Sequence, residues 1–481
     1  MEKEIPVSAE LVSGANTNTT NTNTNNSGGQ IRQGIARSGK VSQKRHASSV
    51  LGRNQAKSIK NMTVCGSGIP AFFQKTCGAN CQHILENTRP ELRTSHKSYY
   101  PTQDRIIVIG DLHGDLDKLI TCLQLAKLIQ LPEQPLPPSD TQRTNQVVFD
   151  YVNKTKWTGG RTFIVQLGDQ IDRIRPTKWD EVGIAKGQTE EDEGSSLHIF
   201  YLLWHLNNQA KQQGGRVISL MGNHEFMNVE GDYRYVSPHE FREYHAAFNK
   251  YYCGTARPEQ EDHDVIEKIN QETQKFAKVP AGYLERRLAW HPRGLIANFM
   301  GLNYKTIIQI GRWVFSHAGI TMHTAQTDSI CKINNCISKY LLDDHPHGAN
   351  DTEQSQNKKV FDKYVNCAQE KSPVWYRDYG EDLDDERDRR QLAGRFQMVL
   401  DEYNRTNRAY LDKLGVPKAE YMAVGHSPQF FNQKGINSIL NGRLWRCDIG
   451  MSRAFGCEGD TECRRPQVLE ILRDTTTNIL G

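Results

Sequence analysis

The sequence predicts an α/β fold whose reactive side chains gather at one edge of a sheet, and three observations carry that prediction. Apolar runs stop where short polar blocks begin. Ile106-Ile107-Val108-Ile109 runs into Gly110-Asp111-Leu112-His113-Gly114-Asp115, and Phe163-Ile164-Val165 leads to Gly168-Asp169-Gln170-Ile171-Asp172-Arg173. Val217-Ile218-Ser219-Leu220-Met221 leads in the same way to Gly222-Asn223-His224-Glu225. Short runs of this kind read as buried strands. Two further blocks, Ser316-His317-Ala318-Gly319 and Gly425-His426-Ser427, complete a set of five. Between blocks the apolar period changes to that of a helix, as in Leu116, Leu119, Ile120 and Leu123. Ligands leaving neighbouring strand ends converge on the crevice beyond the sheet.

The elements follow in order. A strand near 104–109 precedes a helix through Leu128, which Pro132, Pro135, Pro137 and Pro138 break. An insertion then lasts to about 160, and a second spans about 175–195. Ser195 or Ser196 is expected to cap a helix built on Leu197, Phe200, Tyr201, Trp204 and Leu206. Residues 230–300 read as mostly helical, with Phe241, Tyr244, Phe248 and Tyr251 as a packing stripe, and lie between the third and fourth blocks, where a cap over the site is expected. Thr306–Ile310 and Trp313–Phe315 suggest a hairpin into His317. Strands return at Tyr421–Val424, Arg443–Arg446 and Val468–Leu472. The charged run Glu381–Arg390 reads as a solvated helix with mixed i,i+4 pairs.

Asp, His and Asn together suit borderline divalent metals such as Mn, Fe and Zn, and the set lacks the thiolates of a structural zinc site. In a two-metal hydrolase one carboxylate bridges ions roughly 3.5–4 Å apart. Water shared by two dications loses its proton near neutral pH, and the resulting hydroxide attacks phosphorus in line without an amino-acid nucleophile.

All five blocks in this order resemble the metallophosphoesterase (calcineurin-like) superfamily. Within it they resemble the phosphoprotein phosphatase branch, and the Shewanella-like protein phosphatases most. The resemblance runs from about residue 100 to the C-terminus, through Ser372-Pro373-Val374-Trp375-Tyr376-Arg377 and Leu444–Ser452. It implies a four-layer α-β-β-α sandwich with the metals at one edge. It implies Asp111 and His113 as ligands of a first metal, Asp169 as the bridge, and Asn223, His317 and His426 as ligands of the second. His224 falls where the family places the general acid and Asp172 where a carboxylate orients it. Arg173 and Arg377, with Asn223, fall where substrate phosphate is held. The substrate implied is a phosphomonoester, most simply phosphoserine, phosphothreonine or phosphotyrosine in a protein.

Two departures from the family pattern stand out. Ile174 occupies a position where glycine is usual, so the loop after Arg173 is expected to run differently. Pro428 replaces a second histidine that nucleases and phosphodiesterases of the superfamily carry. A rival branch, hydrolysing dinucleoside polyphosphates or caps, tends to lose the carboxylate equivalent to Asp172, which is present here. A scaffold that keeps the fold without turnover is disfavoured because every expected ligand is present.

The chain divides into a basic, low-complexity and mostly disordered region at 1–95 and a catalytic domain at 100–475, with insertions near 131–160, 175–195 and 230–300. Residues 15–29 are an Asn/Thr tract of the kind that does not fold alone. Residues 11–85 contain no acid and nine Lys or Arg, so the net charge of +4 is a property of the tail. Such a tail is suited to anionic partners, but its scattered charges, without aromatics from Arg32 to Lys60, favour a solubilising leader. No run reaches the roughly 18 apolar residues of a membrane span, no leader-type apolar segment is evident, and a cytoplasmic location is expected. Eleven cysteines of irregular spacing define no disulfide framework. Cys331–Cys336 and Cys457–Cys463 are conceivable short loops, and Cys65, Cys77, Cys81 and His83 a partial zinc cluster, but reduced thiols are the simpler reading.

Overall fold

Two sheets share one hydrophobic core. The computed structural model describes residues 98–481 and the pair Phe72–Phe73, apart from 138–142, 176–191, 254–278 (save 267, 269 and 271), 343–357, 360, 366–367, 384 and 457–463. The Asn/Thr tract, the basic tail up to residue 71, the Cys65–His83 group, the acidic run at 190–191 and the Cys457–Cys463 pair therefore lie outside the described residues.

The five-stranded sheet has the order β13 (Thr476–Leu480), β12 (Val468–Leu472), β2 (Arg105–Ile109), β5 (Phe163–Gln166) and β6 (Arg216–Ser219). Strands β2, β5 and β6 are parallel, so the three blocks that follow them emerge at the same edge. The six-stranded sheet has the order β1 (Tyr99–Tyr100), β7 (Ile307–Ile310), β8 (Trp313–Ser316), β9 (Tyr421–Val424), β11 (Leu444–Arg446) and β10 (Asn437–Ile439). Here β8 and β9 are parallel and deliver the last two blocks side by side. A two-stranded ribbon, β3 (Ile129–Gln130) with β4 (Lys156–Trp157), stands apart.

Every residue of β5, β7 and β8 is buried, as expected for strands covered on both faces. Helix α1 (Leu116–Leu125) follows β2, α2 (Asn145–Lys154) lies in the first insertion, and α3 (Ser196–Gln212) packs on β6. Helices α4 (Asn223–Glu230), α5 (Pro238–Cys253), α6 (Tyr283–Trp290) and α7 (Leu295–Asn303) follow. Then come α8 (Met322–Thr327), α9 (Ile330–Leu342), which packs on β7, and α10 (Glu386–Leu414). Sheets with helices outside them are the metallophosphoesterase architecture that the blocks imply.

Local chemistry explains several boundaries. Asp115 caps α1 by accepting from the Lys118 N–H, and Asp385 caps α10 by accepting from Arg387. Ser195 stands at the start of α3 without a side-chain cap. Glu243 of α5 accepts the Leu197 N–H instead, at 2.9 Å, and this long-range cap could not be read from local sequence. Phe241, Tyr244 and Phe248 of α5 are buried, as the aromatic stripe predicts. The charged run opens α10, where Arg390 pairs with Glu386 one turn back at 3.2 Å.

Phe72 and Phe73 lie in the region expected to be mostly disordered, yet both are buried. Phe72 packs on Tyr201, Trp204 and Phe299, and Phe73 on Phe248 and Phe299. Cys331 and Cys336 are free thiols on α9. Among the described residues, no helix is long and apolar enough to cross a membrane.

Candidate metal centre

The five blocks meet where the two sheets present their strand ends. Backbone bonds tie the first two together: the Leu112 and His113 N–H groups donate to the Asp169 carbonyl, both at 2.9 Å. The sheets are joined by the His426 N–H, which donates to Asp111 Oδ2 at 3.0 Å. Glycines allow the closeness: a Cβ on Gly222 would lie 2.1 Å from Asp169 Oδ1, and one on Gly425 would lie 2.2 Å from Asp111 Oδ1. His113, Asp169, Asp172 and His426 all have φ between 42° and 72°, a left-handed conformation that costs most residues about 1–3 kcal/mol and clusters at functional sites.

Asp169 is central. Its Oδ2 lies 3.3 Å from His317 Nε2, 3.8 Å from His224 Nε2 and 4.0 Å from His113 Nε2. On one side of it, Asn223 Oδ1 lies 2.9 Å from both His317 Nε2 and His426 Nδ1. Ligand atoms about 2.1 Å from a common cation are separated by roughly 3.0–3.4 Å, so this crowd of lone pairs has the spacing of a coordination shell. His317 Nδ1 faces the Leu167 carbonyl at 2.9 Å and His113 Nδ1 the Ile171 carbonyl at 3.2 Å. Those bonds make Nδ1 the donor in each ring and leave Nε2 as the lone pair that a metal takes. Asp111 Oδ1 is buried without a hydrogen-bond partner. The donor set fits divalent ions that share Asp169: the ligand atoms of Asp169, His317 and His426 lie within 4.8 Å of one another, as do those of His113, Asp169 and His224.

The electrostatics divide the two carboxylates of the cradle. Burial, then the Asp448 and Asp169 charges, push the Asp111 carboxyl well above its usual range. Burial would raise Asp169 too, but the imidazoles of His317, His224 and His113 reverse this and hold it well below. Burial, then Arg377 and His317, pull His426 well down. Glu225 accepts the backbone N–H groups of Gly222, Asp169 and Gln170 at 2.7–2.9 Å.

Beside the cradle, His224 Nδ1 sits 2.7 Å from Asp172 Oδ2. Asp172 also accepts from Asn228 at 3.0 Å and from Arg286 at 3.3 Å, while Arg286 donates to Asn228 Oδ1 at 2.8 Å. Sequence reading missed Asn228 and Arg286. Asn228 lies one helical turn after His224, but nothing links Arg286 of α6 to Asp172 except the fold. It also missed Asp448, although the block containing it was singled out; Asp448 Oδ2 is buried without a partner.

The two arginines expected at the phosphate are placed differently. Arg377 is exposed and close enough for its charge to act on His426. Arg173 departs from expectation. It is fully buried, with NH1 3.1 Å from Asp115 Oδ2 and NH2 3.4 Å from Glu193. The acids around it draw its guanidinium inward, and Arg175 instead reaches His113, its NH2 2.8 Å from Nε2. Ile174 needs no glycine-like backbone: the left-handed residues of the loop are Asp169 and Asp172, and the Ile174 N–H is used by the Tyr235 carbonyl.

Residues 104–430 match the calcineurin-like phosphoesterase family. The chain is a calcineurin-like phosphoesterase. This phosphoesterase is 26% identical over 388 residues, 78% of its own length and 77% of the relative's, to Shewanella-like protein phosphatase 2 of Arabidopsis thaliana. It is 28% identical over 189 residues, 36% of this chain and 41% of the other, to Shewanella-like protein phosphatase 1 of Plasmodium berghei. Among solved structures, a cold-active protein tyrosine phosphatase aligns with a TM-score of 0.46 at 18% identity, covering 82% of this chain and 83% of that one. Phosphoesterases of this family are hydrolases that use two divalent metals, and the residues gathered here are candidates to hold them.

Proposed function

We propose that this phosphoesterase hydrolyses phosphomonoesters, with phosphoserine, phosphothreonine or phosphotyrosine of a protein as substrate. The observation that carries the reading is the His224–Asp172 pair set against Asp169. Asp172 accepts a hydrogen bond from His224 Nδ1–H, so Nε2 carries the other proton when the ring is charged, and it faces the Asp169 carboxylate at 3.8 Å. That is the placement of an acid that protonates a poorly leaving alkoxide, a step worth typically 10²–10⁴-fold. Release of a nucleotide from a dinucleotide needs such an acid less, because a phosphate oxygen leaves readily. The protein phosphatases among the relatives support the same substrate class.

Asp111 and His113 would hold one ion, Asn223, His317 and His426 the other, and Asp169 both. The bound pair, Mn, Fe or Zn, supplies Lewis acidity and water acidified to near neutrality. The chain's own residues do the rest. Arg377 meets the phosphoryl group from the open side, Asn223 donates its amide N–H to it, and His224 delivers the proton. The test compares purified protein with Mn²⁺ on phosphopeptides and on diadenosine tetraphosphate. Faster turnover of phosphopeptides is expected. Preference for the dinucleotide would move the enzyme to the other branch, and no metal-dependent turnover of either would leave a scaffold.

A further inference from the structure

The loop Asp172-Arg173-Ile174-Arg175 carries two guanidiniums, and they part company. Arg173 belongs to an internal network. Its partner Asp115 also takes Arg453 at 2.7 Å, Arg453 reaches Asp117 at 3.1 Å, and the Arg173 N–H donates to Glu240 at 3.0 Å. With none of its surface exposed and two carboxylates beside it, this guanidinium is neutralised and cannot reach an anion without breaking buried pairs.

Arg175 has the opposite surroundings. It is only partly buried. Its guanidinium carbon lies 4.7 Å from the Phe455 ring centre and 5.3 Å from that of Tyr235. NH1 is fixed by the carbonyls of Asp172 and Ile174, at 3.1 and 2.9 Å. NH2 is directed at His113 Nε2, 2.8 Å away, and the Tyr235 and His224 rings are 5.0 Å apart. Among the described residues, no carboxylate forms a salt bridge with Arg175. The lone pair of His113 Nε2 serves either this N–H or a cation. A cation on His113 therefore frees an oriented, charged donor beside the proposed general acid.

We propose that Arg175, not Arg173, is the guanidinium of this loop that binds the phosphoryl oxygens of the substrate, and that Arg173 is a positioning residue. Two aromatic faces and two carbonyls hold the Arg175 plane without a carboxylate in direct contact, which suits forked contact with a phosphoryl group. The inference rests on the phosphatase reading of the site. Ile174 acquires a role in it: its buried side chain and its N–H to the Tyr235 carbonyl set the turn that sends Arg175 to His113.

Inorganic phosphate is the probe. Wild type, Arg175→Gln, Arg175→Lys and Arg173→Lys are loaded with Mn²⁺. Bound metal is counted by mass spectrometry, phosphate binding is measured by calorimetry, and KM is measured on a phosphopeptide. For Arg175→Gln, phosphate affinity should fall and KM rise by about tenfold to a hundredfold, with metal content undiminished, and Arg175→Lys should recover part of the loss. Arg173→Lys should lower the thermal midpoint and leave phosphate affinity within about twofold of wild type. Unchanged phosphate affinity in Arg175→Gln, loss of its metal, or a folded Arg173→Lys that alone loses phosphate would each overturn the inference. A wild type that takes up no metal would overturn the phosphatase reading, and this inference with it.

Discussion

The cradle around Asp169 and the network around Asp172 are adjacent, and both are anionic and buried, but they are finished to different degrees. Around Asp172 every partner is supplied by the chain: His224, Asn228 and Arg286 surround one carboxylate. Around Asp169 lone pairs face lone pairs, and Asp111 Oδ1 has no partner. A buried polar group left unpaired costs about 1–3 kcal/mol, and more when charged. The cradle is thus a region that folds at a cost and is completed by cations, whereas its neighbour is completed by folding alone.

The strongest way to break the contrast is Asp169→Asn. An amide cannot bring the charge that three imidazoles and two ions share, so activity should fall by about 10⁴-fold and metal content should drop. Retained metal with full turnover would defeat the bridging role. Next is His224→Asn, which should leave metal content intact and lower kcat by about 10²–10³-fold on phosphopeptides. On p-nitrophenyl phosphate, whose leaving group needs no proton, the loss should be much smaller. Equal losses on both substrates would show that His224 is not the acid.

Arg286→Met probes the finished side. Arg286 and Asp172 are both fully buried, and removing one partner of such a pair costs about 3 kcal/mol. Denaturant unfolding should register this loss while metal binding persists. Removing metal from wild type probes the unfinished side. Restoring ions at a hundred times their dissociation constant should raise stability by about 2.7 kcal/mol, and the gain should vanish in Asp169→Asn. If chelation left the thermal midpoint unchanged, the cradle would not depend on cations.

The same contrast marks what sequence could disclose. The cradle was legible because each candidate ligand closes an apolar run, and parallel strands bring such ends together whatever the intervening length. Arg286 and Glu243 were not, because their roles depend on helices α5 and α6 docking against residues far away in the chain. Arg175 was visible as a residue but not as a participant. The departure at Ile174 showed that the loop would differ, while its direction is set by contacts with Tyr235, Phe455, Asp115 and Glu193 that no local pattern encodes. Strand β13 and most of α10 were also missed. Strand β13 is a half-exposed edge without clear alternation, and the apolar positions of α10 are sparse within a strongly charged stretch.

The last effect, read against pH, concerns the seam between the two sheets. Lys305 is buried there, with its N–H on the Ser219 carbonyl, its carbonyl receiving Met221 and its Nζ donating to the Tyr304 carbonyl at 2.9 Å. Burial pulls its ammonium from 10.5 down to about 7. Because the folded value lies below the unfolded one, the unfolded chain holds more protons between those two values, so stability should rise as pH climbs through that window. Below about pH 7 both states are charged and the full cost of burying the cation is felt. Lys305→Met should therefore be more stable than wild type at neutral pH and should flatten the alkaline rise. Denaturant midpoints at pH 6.5, 8 and 9.5 decide it: parallel pH profiles for the two proteins would mean that the ammonium is hydrated, and that the seam tolerates charge as the Asp172 network does rather than as the cradle does.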